Sequence, residues 1–451
     1  MQIQSVRDPE AFVQALGSSA PAGQLHAIEF EHNAFYLEAP RCEALIAVLD
    51  KGEPGVRAVI AAATAETRTL VGGWSQTGCL ARLAEALGAP VLELDAAVSL
   101  VPVVIPKPWG REVWYTGMEK RGQAGVGDEV RVTPLAWLLS LMPKAFAMGD
   151  PESLTLLKVL DPLADEVFGD LYFEMHERKQ EVYVVTHVDR RAWPNGEGGI
   201  RFGFCPEKRQ QYASDENFKT AYAAAVKSYE QARRKIDGKL DQVRQGKGIG
   251  LNEPVSPATV SAWLAGVDPA LREREKLLRL EMERFTRVLP LKVGDVVKVP
   301  CYTPHSLLHG VRTVEFQTPV YERKILAFAQ KVLTQPHWDT EEALEKVALE
   351  ANLPELGAVT RPCPELVCQQ VVDFDDFAVW RLSALETCDY PLEGLQDYRL
   401  VMAISGEVSL PGKVLAPEQA ALVPANARAG LRLQLQKGAV ALIARALGGK
   451  C

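Results

Sequence analysis

A chain of 451 residues, 47% of them hydrophobic, can bury more than one small core, so two or three folding units are expected. Its formal charge of −8 and isoelectric point near 5.6 leave no basic footprint for nucleic acid or an anionic membrane, so neither partner is expected. No run of about 18 apolar residues appears, and the start MQIQSVRDPEAF has no charged-then-apolar leader. The eight cysteines form no CxxC pair and read as reduced thiols of a cytoplasmic protein.

Along the first 100 residues, LHAIEFE, VRAVIAAA and APVLELD read as short strands, and Leu80 to Leu87 as an amphipathic helix. This is a small α/β unit with no catalytic constellation. His26 and His32 sit on an alternating run and are expected at the surface or half-buried. The Pro-rich stretch PVVIPKPWG, residues 102–110, opens a new region. Strand character follows in LTLLKVLDPL and LYFEMHERKQEVYVVTHV. Tyr172, Glu174 and His176 alternate there with Leu171, Phe173 and Met175. Glu174 and His176 therefore share a face, while Glu177 falls on the opposite, solvated one.

Residues 208–290 change period. Phe218, Tyr222, Ala225, Tyr229, Ala232 and Ile236 recur at three- and four-residue spacing, and Leu271, Leu278, Met282 and Phe285 mark a second helix. Ser256 followed by Pro257 reads as a cap with proline at the first helical position. A helical insertion between two strand regions results. Strand returns in LKVGDVVKVPCYTPHSLLHGVRTVEFQTP, and the last 90 residues carry short runs separated by turns, the rhythm of a β sandwich or barrel. His187 and His309 read as hydrogen-bonded structural residues, and His337 as a loop residue. No histidine follows His337, so the C-terminal unit cannot build an imidazole site.

The run Gly294-Asp295, a short apolar strand, Pro300 and then His305 resembles the second half of the two-part signature of the cupin double-stranded jelly roll. Glu174-x-His176 with Glu181 fills the first half, a glutamate replacing the first histidine. In that fold the two hairpins pack side by side. The resemblance thus implies that Glu174, His176, Glu181 and His305 converge at the barrel mouth. Two imidazoles and two carboxylates suit zinc, manganese, iron or cobalt, with positions left open for substrate. A bound cation would also explain carboxylates inside a barrel, where an unpaired one is costly.

Residues 102–451 further resemble the type I phosphomannose isomerases, zinc enzymes of the cupin superfamily. The likeness is carried by KPWGREVW, by LLKVLDPLADEVFGDLYFEMH, by the helical insertion between the two half-motifs, and by a degenerate second jelly roll with LVMAISGEVSL and EQAALVPA. It implies a mainly β fold of tandem cupin barrels, with residues 1–100 as an α/β extension. Residues 101–335 would form the metal-binding barrel, with its insertion at 208–290, and residues 336–451 a metal-free second jelly roll. It implies a divalent metal, zinc in the family, on Glu174 (at the family's glutamine position), His176, Glu181 and His305. It implies catalytic roles for Lys179, Glu315 and Arg323 in converting mannose 6-phosphate to fructose 6-phosphate. The loop from His176 to Lys179 is shorter than the family's. That leaves an alternative, a non-catalytic cupin that binds a sugar or sugar phosphate. A cupin oxygenase or epimerase fits the insertion and the second jelly roll less well. Oligomeric state is not legible.

Overall fold

Runs of aliphatic and aromatic residues with few breaks, such as Glu181–Val188, need cover on both faces, and two antiparallel sheets provide it. The computed structural model describes residues 1–19, 23–52, 55–128, 130–253, 255–351, 355–393, 395–425 and 427–446. The chain divides into two compact units, one of Val104–Val113 and Val159–Glu355, the other of Met1–Val103, Trp114–Lys158 and the chain from Leu356 onward.

In the first of these units a six-stranded sheet runs in the order Val296–Val299, Glu181–Val188, Val311–Gln317, Leu156–Pro162, Gly110–Trp114, Val103–Lys107. A five-stranded sheet runs Thr286–Leu291, Gly198–Phe204, His305–Leu307, Phe173–Met175, Lys324–Ala327. Tyr183 and Val185 from one sheet and Phe173, Met175, Ile200 and Phe202 from the other join a single buried core. This is a cupin-like jelly roll, and the fold of the chain is mainly β.

The helical insertion interrupts the hairpin of Gly198–Phe204 with Thr286–Leu291. Its long helix, Asp215–Gly246, starts at Ser214, whose side chain accepts from the Asn217 amide, and Asp215 and Glu216 sit in the first turn, where the helix dipole favours them. The stripe Phe218, Tyr222, Val226 and Tyr229 is buried. Phe218 and Tyr222 meet Phe204 edge-on at 5.3 and 5.1 Å. Ser256 caps Pro257–Leu264 as expected. The helices occupy Pro206 to Glu283, so the last residues of the expected insertion are strand.

The second unit holds a five-stranded N-terminal sheet, Ile3–Ser5, Leu25–Asn33, Cys42–Lys51, Val56–Ala62 and Leu92–Glu93, its first pair parallel and the others antiparallel. It also holds a nine-stranded sheet and a four-stranded sheet that enclose a separate apolar core.

Two expectations need correction. The domain limits at about 100 and 335 are not those the contacts make. Val98–Val101, Gly125–Gly127 and Val132–Pro134 extend the nine-stranded sheet through Ala420–Val423, whereas helix Thr340–Lys346 stays with the first unit, beside Lys324–Ala327. And His32 is fully buried. Its Nδ1 meets Ser140 Oγ at 2.8 Å and its Nε2 meets Tyr36 Oη at 3.0 Å, which satisfies the ring.

Candidate metal centre

Glu174 lies in the strand Phe173–Met175 and pairs in register with His305 on the adjacent antiparallel strand. The period-2 alternation brings His176 to the same side, its Nε2 3.8 Å from Glu174 Oε1. Donor atoms of Glu174, His176 and His305 lie within 4.8 Å of one another, the one grouping among the described residues able to hold a metal ion. Glu181 starts the next strand and lies against both imidazoles, 3.4 Å from His176 Nε2 and 3.1 Å from His305 Nε2. The four residues predicted to converge do so. They come from both sheets, because the loop after His176 is short enough to pass directly from one to the other.

The backbone fixes how the imidazoles face. His176 Nδ1 lies 2.9 Å from the carbonyl oxygen of Glu322, and His305 Nδ1 lies 3.0 Å from that of Thr303. A carbonyl can only accept, so each Nδ1 carries the proton and donates it. A neutral ring then directs its Nε2 lone pair into the cluster. His176 Nε2 is buried with no hydrogen-bond partner, as is Glu174 Oε2. Burial first, and then the Lys179 ammonium, hold the His176 imidazole well below its ordinary pKa, so it is neutral. Lone pairs directed at carboxylate oxygens repel unless a cation lies between them. The donor set therefore fits a divalent ion with nitrogen and oxygen ligands.

Lys179 reaches the same point, its Nζ 2.6 Å from Glu181 Oε1. Burial alone would raise the Glu181 pKa, but its surroundings, the Lys179 ammonium foremost, outweigh this and hold the carboxyl well below the usual range. Tyr183, two residues on and on the same face, donates its hydroxyl to Glu181 Oε2 at 2.6 Å. Burial and the carboxylates of Glu181 and Glu315 push that phenol well above its ordinary value. Glu315 is the register partner of Tyr183 on Val311–Gln317 and is buried.

Arg323 closes the other side. Its Nη1 lies 3.9 Å from Glu174 Oε2, its Nη2 donates to Thr334 Oγ1 at 2.5 Å, and its guanidinium lies 4.7 Å over the Tyr172 ring. Burial opposes its charge, and Glu174 more than restores it, raising its pKa. Glu174 and Arg323 have side chains 18% and 13% exposed, against 1–3% for His176, Glu181 and His305, so the cluster opens to solvent on the Glu174–Arg323 side.

Tyr183, Tyr172 and Glu322 escaped the sequence reading. Tyr183 could have been found, since the period that joins Glu174 to His176 also joins Glu181 to Tyr183. Glu322 carries no such signal. Its carboxylate accepts from the amides of Glu177 (2.9 and 3.0 Å) and Arg178 (3.0 Å) and ties down the loop after His176. Glu177, expected as merely solvated, forms ion pairs with Lys324 and Lys346. His309 is the structural residue expected, 2.7 Å from Asp170 and stacked on Trp193.

No helix among the described residues is long and apolar enough to cross a membrane. No protein-family model matches the chain, and no curated protein matches it in sequence. Paired antiparallel sheets with a His and Glu cluster between them define the class as cupin-like. Solved structures agree. Mannose 6-phosphate isomerase from Bacillus subtilis is similar over 77% of this chain and 99% of its own, at 12% identity and a TM-score of 0.53. The apo enzyme from Salmonella typhimurium covers 78% and 99% at 14% identity and a TM-score of 0.52. A zinc-bound mannose 6-phosphate isomerase covers 78% and 99% at 13% identity and a TM-score of 0.53. At such identity the likeness establishes a shared fold.

Proposed function

We propose that the protein is a metal-dependent aldose–ketose isomerase of a phosphosugar, with mannose 6-phosphate and fructose 6-phosphate as the first pair to test. One observation carries the reading. Two half-motifs far apart in sequence meet so that Nε2 of His176 and of His305 faces the carboxylates of Glu174 and Glu181. Those four residues would hold the ion, and zinc is the first metal to test, since two imidazoles and two carboxylates lie within its ligand range and a structural relative binds it. Bound there, the ion would polarise the sugar oxygens as a Lewis acid.

The chain's own groups supply the rest. Isomerisation requires a proton to leave C2 of the open-chain sugar and return at C1, through a cis-enediol. Glu315 is the carboxylate suited to carry that proton. Lys179 would move a hydroxyl proton between O1 and O2. Arg323, fixed by Thr334 and Tyr172 at the open side, would offer a preorganised cation to the developing negative charge. Seven described cysteines are free thiols, which suits a reducing cytoplasm.

One observation favours the second reading, a binding protein without turnover. Glu181 is already met by Lys179 and Tyr183, which leaves it less capacity for an ion unless Lys179 moves. The deciding experiment is a coupled assay on a panel of hexose phosphates with zinc-, manganese- and cobalt-reconstituted protein, run beside calorimetric binding. Interconversion of an aldose and a ketose phosphate supports the isomerase. Saturable binding without interconversion assigns the second reading.

A further inference from the structure

The helical insertion encloses a cavity of about 270 Å3 against the barrel, lined by residues of Asp215–Gly246, Pro257–Leu264 and Pro269–Glu283, and by the segments 166–168 and 329–333. Glu174, His176, Glu181 and His305 do not line it. Its volume lies near the lower end for ligand pockets, roughly 300–1,000 Å3. We propose that this cavity binds a small amphipathic anion, a short acyl chain or single aromatic ring bearing a carboxylate or phosphate.

Apolar side chains form one part of the lining. Ile236, Leu240, Val260, Trp263, Leu264 and Leu333 line the cavity, a surface suited to hydrocarbon and unsuited to the hydroxyls of a sugar.

Charged side chains form the other part. Six cationic residues line the cavity, against the carboxylates Glu166 and Glu275, in a chain whose formal charge is −8. Three of the six are neutralised locally. Arg233 pairs with Asp237, Arg279 with Glu283 and Lys331 with Asp241. The other three are not. Among the described residues Arg244 donates only to the carbonyls of Gly250 and Glu253, and it lies 5.7 Å from the Trp263 ring centre. Arg272 and Lys276 have no ion pair among the described residues. They stand four residues apart on one helix, and like charges at that spacing oppose the helix that carries them, an effect that Glu275 between them offsets in part. Arg279 is itself buried, and its Nε has no hydrogen-bond partner. An anion seated over Trp263 would relieve this repulsion.

A third observation points to the same place. Val167, at the cavity wall, has φ +72°. A β-branched residue avoids the left-handed region, and such backbone strain concentrates at ligand clamps.

The test is calorimetric titration of the full chain with octanoate and with phenyl phosphate. Octan-1-ol and inorganic phosphate each supply half of the ligand. Saturable one-to-one binding of an amphipathic anion is expected, with both controls weaker by about tenfold or more. The double variant Arg272→Glu/Lys276→Glu changes only exposed side chains, so it should keep the natural melting temperature. It should weaken the anion by about tenfold, and added salt should narrow that difference. Trp263→Ala should weaken both octanoate and phenyl phosphate. Three results overturn the proposal. They are no saturable binding of either anion, affinity indifferent to the rim reversal, and stoichiometric displacement of the anion by mannose 6-phosphate, which would make the cavity part of a sugar site.

Discussion

Glu174 stands directly opposite His305 across an antiparallel pair, and Phe202 flanks His305 on the other side. The short strand His305–Leu307 is thus held between two neighbours, and the imidazole has no freedom to leave the cluster. Replacing His305 by alanine removes one nitrogen donor and the bond to Thr303. Metal uptake measured by elemental analysis after reconstitution should fall from near-stoichiometric to near zero. Urea unfolding should show a loss of about 1–3 kcal/mol, with the fold retained. Unchanged uptake in the variant would remove His305 from the ligand set.

Lys179 and Glu181 lie 2.6 Å apart and are both buried. Lys179→Met leaves the Glu181 carboxylate without its ammonium. In metal-free protein the cost should be on the order of 3–5 kcal/mol, as for other broken buried pairs. A bound divalent ion would restore the missing charge, so the same substitution should cost clearly less in zinc-loaded protein. Thermal unfolding of both proteins with and without zinc checks this. An equal cost in both states would mean that the ion does not meet Glu181.

Asp170 makes stability depend on pH away from the candidate metal centre. Burial would raise its pKa, but the side chain and backbone N–H of His309, with Arg201 nearby, outweigh this and lower it. A depressed folded-state value stabilises the protein above the ordinary aspartate pKa, about 4, and the contribution fades as pH falls through the folded value. Asp170→Asn should therefore cost about 1–3 kcal/mol near neutrality. The gap to the natural protein should hold down to about pH 4 and close below it. Urea unfolding across that range is the measurement, and a gap that widens in acid would contradict the sign.

The local pattern around the candidate site was legible in the sequence, whereas the meeting of Glu181 and His305 with Glu174 and His176 was an expectation of the cupin resemblance. A period of two places Glu174 beside His176, a period of three to four marks Phe218 to Ile236 as a helix, and Ser256 with Pro257 marks a cap. What failed was non-local. Nothing in the sequence around Val98–Val101 states that its partner is Ala420–Val423, because a half-buried strand fits many edges equally well. His32 looked like a surface residue since its satisfaction depends on Ser140, far along the chain. Glu322 acts on the loop after His176 through backbone amides, which any residue type supplies.

The pair Glu174 and Arg323 decides what the glutamate is for. Glu174 adds a negative charge to the cluster, but Arg323 at 3.9 Å already answers part of it. Glu174 is then a metal ligand, a counter-ion for Arg323, or both, and a double-mutant cycle separates these roles. Glu174→Gln alone should cost about 1–2 kcal/mol in metal-free protein, less than a fully buried pair because both side chains retain some exposure. Arg323→Met in the same background should recover part of that loss, since no lone charge remains. Zinc affinity should behave differently. If Glu174 is a ligand, the single and the double variant should both bind zinc about tenfold or more weakly, whatever stands at 323. Affinity retained in Glu174→Gln would leave His176, Glu181 and His305 as the whole ligand set and make Glu174 the counter-ion that positions Arg323.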